Sequence, residues 1–266
     1  MDLVRDLFLF GSAVAAGGIN SVAGGGTLLS FPAAIAAGMP PLVANATNAV
    51  ALAPGSVAAA WGYRHDIEGK GRLTAALSLP ALIGGGLGAW ALRHTGQRVF
   101  DAVIPWLVLG ATLLIFLQEI GVRFFAGKAE ARVGDTEVVP PGHPPRLALA
   151  IPLQLLVGIY GGYFGGAMGI LMLAYLAVLG GMDIHQMNAI KNVLSALVNG
   201  CAAIYFVVER MVDFRAAGLM AAGAIVGGFA GAQIARRIRP RIVRAVVIAI
   251  GLGLSILLAV RQHGRA

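Results

Sequence analysis

Charge is what this sequence has least of: only 12% of its 266 residues are Asp, Glu, Lys or Arg. That is about half the fraction usual in soluble domains, too little to cover a chain of this size with a water-facing surface. Cysteine is nearly missing. The single Cys201 excludes an intrachain disulfide and any cage of several thiolates, and its place in an apolar run marks it as a small packing residue. Five histidines (His65, His94, His143, His185 and His263) are scattered without ligand spacing and are expected to be solvated. No P-loop, G-x-S-x-G elbow or H-E-x-x-H is present, so catalytic chemistry has no foothold. Neither a catalytic residue, a metal nor a cofactor is expected.

What the chain has instead is apolar length. Hydrophobic residues make up 58%, and the mean hydropathy is +0.81. Runs close to the ~20 residues that cross ~30 Å of hydrocarbon recur. They fall at 3–23, 27–39, 43–63, 72–92, 98–120, 147–167, 169–182, 187–208, 214–235 and 241–260. An all-α, polytopic integral membrane protein is predicted. The net charge of +8 comes from Lys and Arg between these runs, where they set orientation and meet anionic headgroups. Membrane lipids are therefore the expected partners, and nucleic acid is not. The opening MDLVRD carries two acids and one arginine, which does not suit a cleaved signal and predicts a retained first membrane helix.

The second and seventh segments are too short to cross alone, since 13 residues of helix extend only about 20 Å. One long polar break, 121–145, separates two halves, predicted as a first repeat (1–120), a linker (121–145) and a second repeat (146–266). The halves match at an offset of 143 residues: Gly26 with Gly169, Gly38 with Gly181, Asn45 with Asn188, Gly84 with Gly227 and Gly110 with Gly253. Two tandem repeats of 4–5 helices follow, 8–10 segments in all, with one short or broken helix each, a usual build of secondary transporters. Four crossings per half would make the repeats parallel and five would invert them. The basic residues lean toward inversion.

Two pairs of polar, irregular stretches stand at matched places. NSVAGGGTLLSFP in the first half and GGYFGGAMG in the second each set glycines before a short helix. Gly24, Gly25, Gly26 and Thr27, and Gly165, Gly166 and Gly169, then lie where backbone can approach closely and free N–H groups and a positive dipole end can meet an anion. The competing use of such glycines is close helix packing. ANATNAV and MNAIKNV form the second pair. Asn45 and Asn48 share a helix face with Thr47 beside them, and Asn188, Lys191 and Asn192 hold the corresponding places. Interhelical hydrogen bonding is the alternative use of these amides. Lys191 is the most informative charge, because an ammonium one turn inside an apolar segment costs ~2.5–3.5 kcal/mol to insert. It either serves an anion or snorkels to the interface. Asp66 and Glu209, also 143 apart, are expected as interfacial charges, and Pro54 and Pro80 as helix kinks.

GGGTLLSFPAAIAAGMPPLVANATNAVALAPG and GGYFGGAMGILMLAYLAVLGGMDIHQMNAIKNVLSALVN resemble the two repeat signatures of the TauE/SafE family of sulfite and organosulfonate exporters. The resemblance covers nearly the whole chain apart from 121–145. It implies a bacterial inner-membrane, multi-pass permease for a small anion of the sulfite, thiosulfate or sulfoacetate type, working by a secondary mechanism. The rival expectation is a non-transporting membrane scaffold for a partner enzyme. Substrate identity, direction, the coupling ion (proton or sodium) and association into a homo-oligomer are open at this point.

Overall fold

The computed structural model describes residues 3–130 and 147–234, the side chains of residue 115 and residues 117–130 excepted. Within them the chain is helical and holds no strand. The elements are α1 (Leu3–Val22), α2 (Thr27–Ala36), α3 (Pro41–Gly62), α4 (Gly71–Glu130), α5 (Leu147–Tyr163), α6 (Met168–Leu179), α7 (Ile184–Val208) and α8 (Phe214–Ile234). Six helical stretches are long and apolar enough to cross a membrane: α1, α3, α7, α8 and two arms of α4, Gly71–Thr95 and Gln97–Leu114. The expected segment 241–260 lies outside the described residues.

The break in α4 falls at Gly96, whose φ of 72° and ψ of 159° are not helical, between the runs expected at 72–92 and 98–120, and Pro80 lies inside the first arm. Helical backbone runs on to Glu130, through the first ten residues of the segment predicted as linker. One expectation needs correction. His65 and His94 are exposed, but His185 is half-buried, with its ring 6.4 Å from that of Tyr63.

Burial is sorted as a bilayer requires. Trp61, Leu79, Trp106, Ile204 and Val208 stand on the outside, each more than 60% exposed. Asn45, Asn48, Asn188, Lys191 and Asn192 lie inside, each at most 2% exposed. In lipid this is the stable arrangement, since an apolar exterior costs nothing and polar side chains are kept out of hydrocarbon.

Small residues set the helix contacts, because helix association in hydrocarbon depends on close packing rather than on apolar burial. A side chain on Gly228 would strike the Gly55 main-chain oxygen, and one on Gly85 would come within 2.7 Å of the Val198 oxygen. The same approaches fix the helix directions. Gly223 meets Phe10, Gly227 meets Val14 and Gly231 meets Gly18, so α8 runs parallel to α1. Gly55 meets Ala224 and Gly62 meets Ala232, which sets α3 parallel to them. Gly84 with Leu155, then Gly88 with Ile159, make α5 parallel to the first arm of α4. Gly85 with Val198, then Arg93 with Glu209, align α7 with that arm as well. Only residues 209–213 join α7 to α8, so the two groups run in opposite directions.

Two pairs of helix starts keep the offset read in the sequence: Pro41 and Ile184 are 143 residues apart, as are Gly71 and Phe214. In each of the pairs α1 and α5, α3 and α7, and the first arm of α4 and α8, the two helices point oppositely. Because α1 and α3 run the same way, α2 has to carry the chain back between them. Its ten residues extend only ~15 Å, half the hydrocarbon thickness. α6, with 12 residues, does the same between α5 and α7.

Candidate functional site

α1 and α5 come in from opposite sides, and the breaks that follow them meet. Gly24 has φ +80°, and a Cβ there would sit 2.6 Å from the Gly169 Cα. Only glycine fits, on both conformational and steric grounds. Thr27, the first residue of α2, places its Oγ1 3.8 Å from where a Gly165 Cβ would be. The starts of α2 and α6 are therefore neighbours. No side chain caps either one, and each closes with turn bonds of its own backbone, Leu28 N to Gly25 O (3.1 Å) and Met168 N to Gly165 O (3.3 Å). Two positive dipole ends thus converge in the interior.

A cation stands beside them. Lys191 is 1% exposed and does not snorkel. Its Cδ lies 3.2 Å from the position of a Gly169 Cβ. Nζ donates to Asn20 O (2.7 Å), Ser21 O (3.0 Å) and Asn188 Oδ1 (2.9 Å), so all three ammonium hydrogens are engaged. Asn20 and Ser21 belong to the last turn of α1, where free carbonyls and the negative dipole end favour a cation. Asn192 Nδ2 adds a second donor to Ser21 O (3.2 Å).

The other half repeats the clasp with a neutral group. Asn45 Nδ2 donates to Tyr163 O (2.9 Å) at the end of α5. Asn45 and Asn188 are 143 residues apart, and so are Asn20 and Tyr163. Each central helix thereby holds the end of the helix that opens the other half, α7 holding α1 and α3 holding α5.

Of the residues singled out in the sequence, Gly24, Thr27, Gly165, Gly169, Asn188, Lys191 and Asn192 come together at this crossing. Gly25 contributes its carbonyl to the first turn of α2. Gly26 serves packing, because a side chain there would strike the Ala16 oxygen of α1. Gly166 accepts from the Tyr160 hydroxyl and lies on the Phe164 ring. Thr47 is directed elsewhere: its Oγ1 accepts from Asp213 N (3.0 Å) and so anchors the start of α8.

Sequence reasoning missed Asn20, Ser21 and Tyr163, which take part through main-chain oxygens and so leave no side-chain signature. The 143-residue offset between Asn20 and Tyr163 was the available signal. It also missed the buried pair Tyr175 and Gln154, joined by a 2.6 Å hydrogen bond. A narrow crevice beside the clasp, too tight to hold a water molecule, is lined in part by Asn20, Ser21, Ser56 and Asn192. No group of three or more His, Cys, Asp or Glu side chains converges among the described residues.

Apolar helices outside, polar side chains inside and broken helices meeting at the centre define a multi-pass membrane protein built around an interior polar crossing. Comparison with known proteins agrees. The family described as Sulfite exporter TauE/SafE matches residues 9–258, and the chain belongs to that family. It is similar to the probable membrane transporter protein ORF9 of a Sinorhizobium species, 27% identical over 96% of this chain and 93% of that protein. It is also similar to the probable membrane transporter protein YfcA of Escherichia coli K12, 26% identical over 97% and 90%. A probable membrane transporter protein of Haemophilus influenzae is 24% identical over 93% and 91%. No solved structure matches. The family and these names place the chain among membrane permeases.

Proposed function

We propose that the protein moves a small sulfur oxyanion or organosulfonate across the bacterial inner membrane by a secondary mechanism. In this reading its two halves, 1–120 and 146–266, form an inverted tandem repeat. The observation that carries it is the meeting of two uncapped helix starts beside the ammonium of Lys191. All three favour negative charge, and they act in an interior of low dielectric where such terms are large. The family name supports the substrate class. Gly24 to Thr27 and Gly165 to Gly169 offer backbone to the anion, and Asn188, Lys191 and Asn192 set the position and charge behind it. Rocking of the inverted halves about the crossing exposes it to one side and then the other.

The test is flux in proteoliposomes against a panel of sulfite, thiosulfate, sulfoacetate, chloride and an organic cation. Saturable movement of at least one sulfur anion, with no movement of the cation, is the expected result. No flux of any anion from correctly folded protein would favour a scaffold role and overturn the proposal.

A further inference from the structure

The two clasps differ by one replacement, and it leaves something over. In the second half, Lys191 brings an ammonium to three oxygens: Asn20 O, Ser21 O and Asn188 Oδ1. The residue 143 positions before Lys191 is Asn48, and that before Asn188 is Asn45. Asn20, whose carbonyl Lys191 holds, corresponds to Tyr163. The first half therefore keeps the oxygens of the clasp and lacks its cation.

The accounting shows there. Asn45 and Asn48 are each 2% exposed, and the side-chain oxygen of each is buried with no hydrogen-bond donor among the described residues. The Asn45 amide cannot simply be turned over, since its Nδ2 is committed to Tyr163 O at 2.9 Å. Asn45 Oδ1 and Asn48 Oδ1 are neutral acceptors three residues apart on α3, and the Asn45 amide reaches the carbonyl end of α5, a negative dipole end. An unsatisfied buried oxygen is costly in hydrocarbon and calls for an explanation.

We propose that Asn45, Asn48 and the end of α5 form a binding site for a small monovalent cation of the sodium class, the untethered counterpart of the Lys191 ammonium. Amide and main-chain oxygens are the hard, neutral donors that suit an alkali ion. A divalent ion would call for carboxylates, and no cluster of them occurs among the described residues. Neither an amide nor a main-chain carbonyl takes up a proton near neutral pH, so this site reads a cation and not pH. An anion would be repelled by the same oxygens, which separates the site from the crossing of helix starts. Calling the bound cation a coupling ion rests on the permease reading, whereas its binding does not.

The test uses purified full-length protein in detergent, with the thermal midpoint followed as NaCl replaces N-methylglucamine chloride at constant ionic strength. A ligand that binds only the folded form raises the midpoint with the logarithm of its concentration above Kd. Wild type is expected to show this saturable rise with Na+. Asn48→Lys supplies a tethered ammonium at the matched position and should abolish the Na+ dependence while holding a high midpoint in its absence. Should Asn48→Lys fail to fold, Asn48→Asp decides, since an added negative charge should shift the Na+ response to at least tenfold lower concentration. A wild-type midpoint insensitive to Na+ and Li+ would overturn the proposal and leave these oxygens to water. So would a Na+ response unchanged in Asn48→Asp, which would put the ion elsewhere. Because no anion is needed, these outcomes stand apart from success or failure of the flux assay.

Discussion

Replacing Lys191 by Met keeps most of the apolar stem and removes the ammonium from three oxygens. Ser21 O retains Asn192 Nδ2 as a donor, while Asn20 O and Asn188 Oδ1 lose the one Lys191 supplies. Each buried acceptor left unsatisfied costs about 1–3 kcal/mol, giving about 2–6 kcal/mol for the pair. Relief from burying a charge offsets part of this, so a net loss of about 2–4 kcal/mol is expected. At roughly 2–4 °C per kcal/mol for a chain of this length, the thermal midpoint in detergent should fall by about 4–16 °C. Arginine should not rescue it, because its planar fork of donors cannot reproduce one nitrogen bonded to Asn20 O, Ser21 O and Asn188 Oδ1 together. The assay is thermal unfolding with anion flux measured on the same preparations. A wild-type midpoint with abolished flux would refute the reasoning, since Lys191 would then be a ligand for the anion and not the fastener of α1.

Other substitutions probe the packing and the helix ends. Gly228→Ala pushes a methyl group onto the Gly55 oxygen and should cost about 1–3 kcal/mol. Gly110→Ala, with nothing within 4 Å, should be neutral or stabilise by up to about 1 kcal/mol; equal effects of the two on the thermal midpoint would contradict the packing account. Asp183→Ala removes the cap that accepts from His185 N (2.8 Å) and Gln186 N (2.9 Å) at the start of α7, a loss of about 1 kcal/mol visible in the same melt. Glu209→Gln breaks the 2.9 Å pair with Arg93, whose side chains are 33% and 51% exposed. Solvent screening should hold that change below about 1 kcal/mol, and a larger drop would show that the pair fastens α7 to α4.

Hydrophobic run length was enough to place the helices, because hydrocarbon admits few alternatives to apolar helix. The offset between Asn45 and Asn188 likewise located the two clasps. Direction was harder to read. It depends on which glycine faces which carbonyl, as Gly228 and Gly55 do, and a glycine that packs looks the same in sequence as one that turns. The gap between the runs 72–92 and 98–120 bracketed the break in α4, but not its cause, which is the positive φ of Gly96. Lys191 was recognised as a buried charge, but its partners were not, since the carbonyls of Asn20 and Ser21 are free only because α1 stops there. Thr47 was the reverse case. Its neighbour Asn45 joins the clasp, while its own hydroxyl accepts from Asp213 N.

The central claim is that the anion passes the point where α2 and α6 begin. Thr27, at the first turn of α2 and 6% exposed, is the side chain to watch. In a Cys201→Ser background, Thr27→Cys reconstituted in proteoliposomes can be followed by its rate of modification with a small charged thiol reagent. The account predicts that the thiol reacts while the protein cycles, and that a transported sulfur anion slows the reaction in proportion to its occupancy, whereas an organic cation does not. A thiol that stays unmodified while the variant transports, or one modified at the same rate with and without the anion, would contradict it.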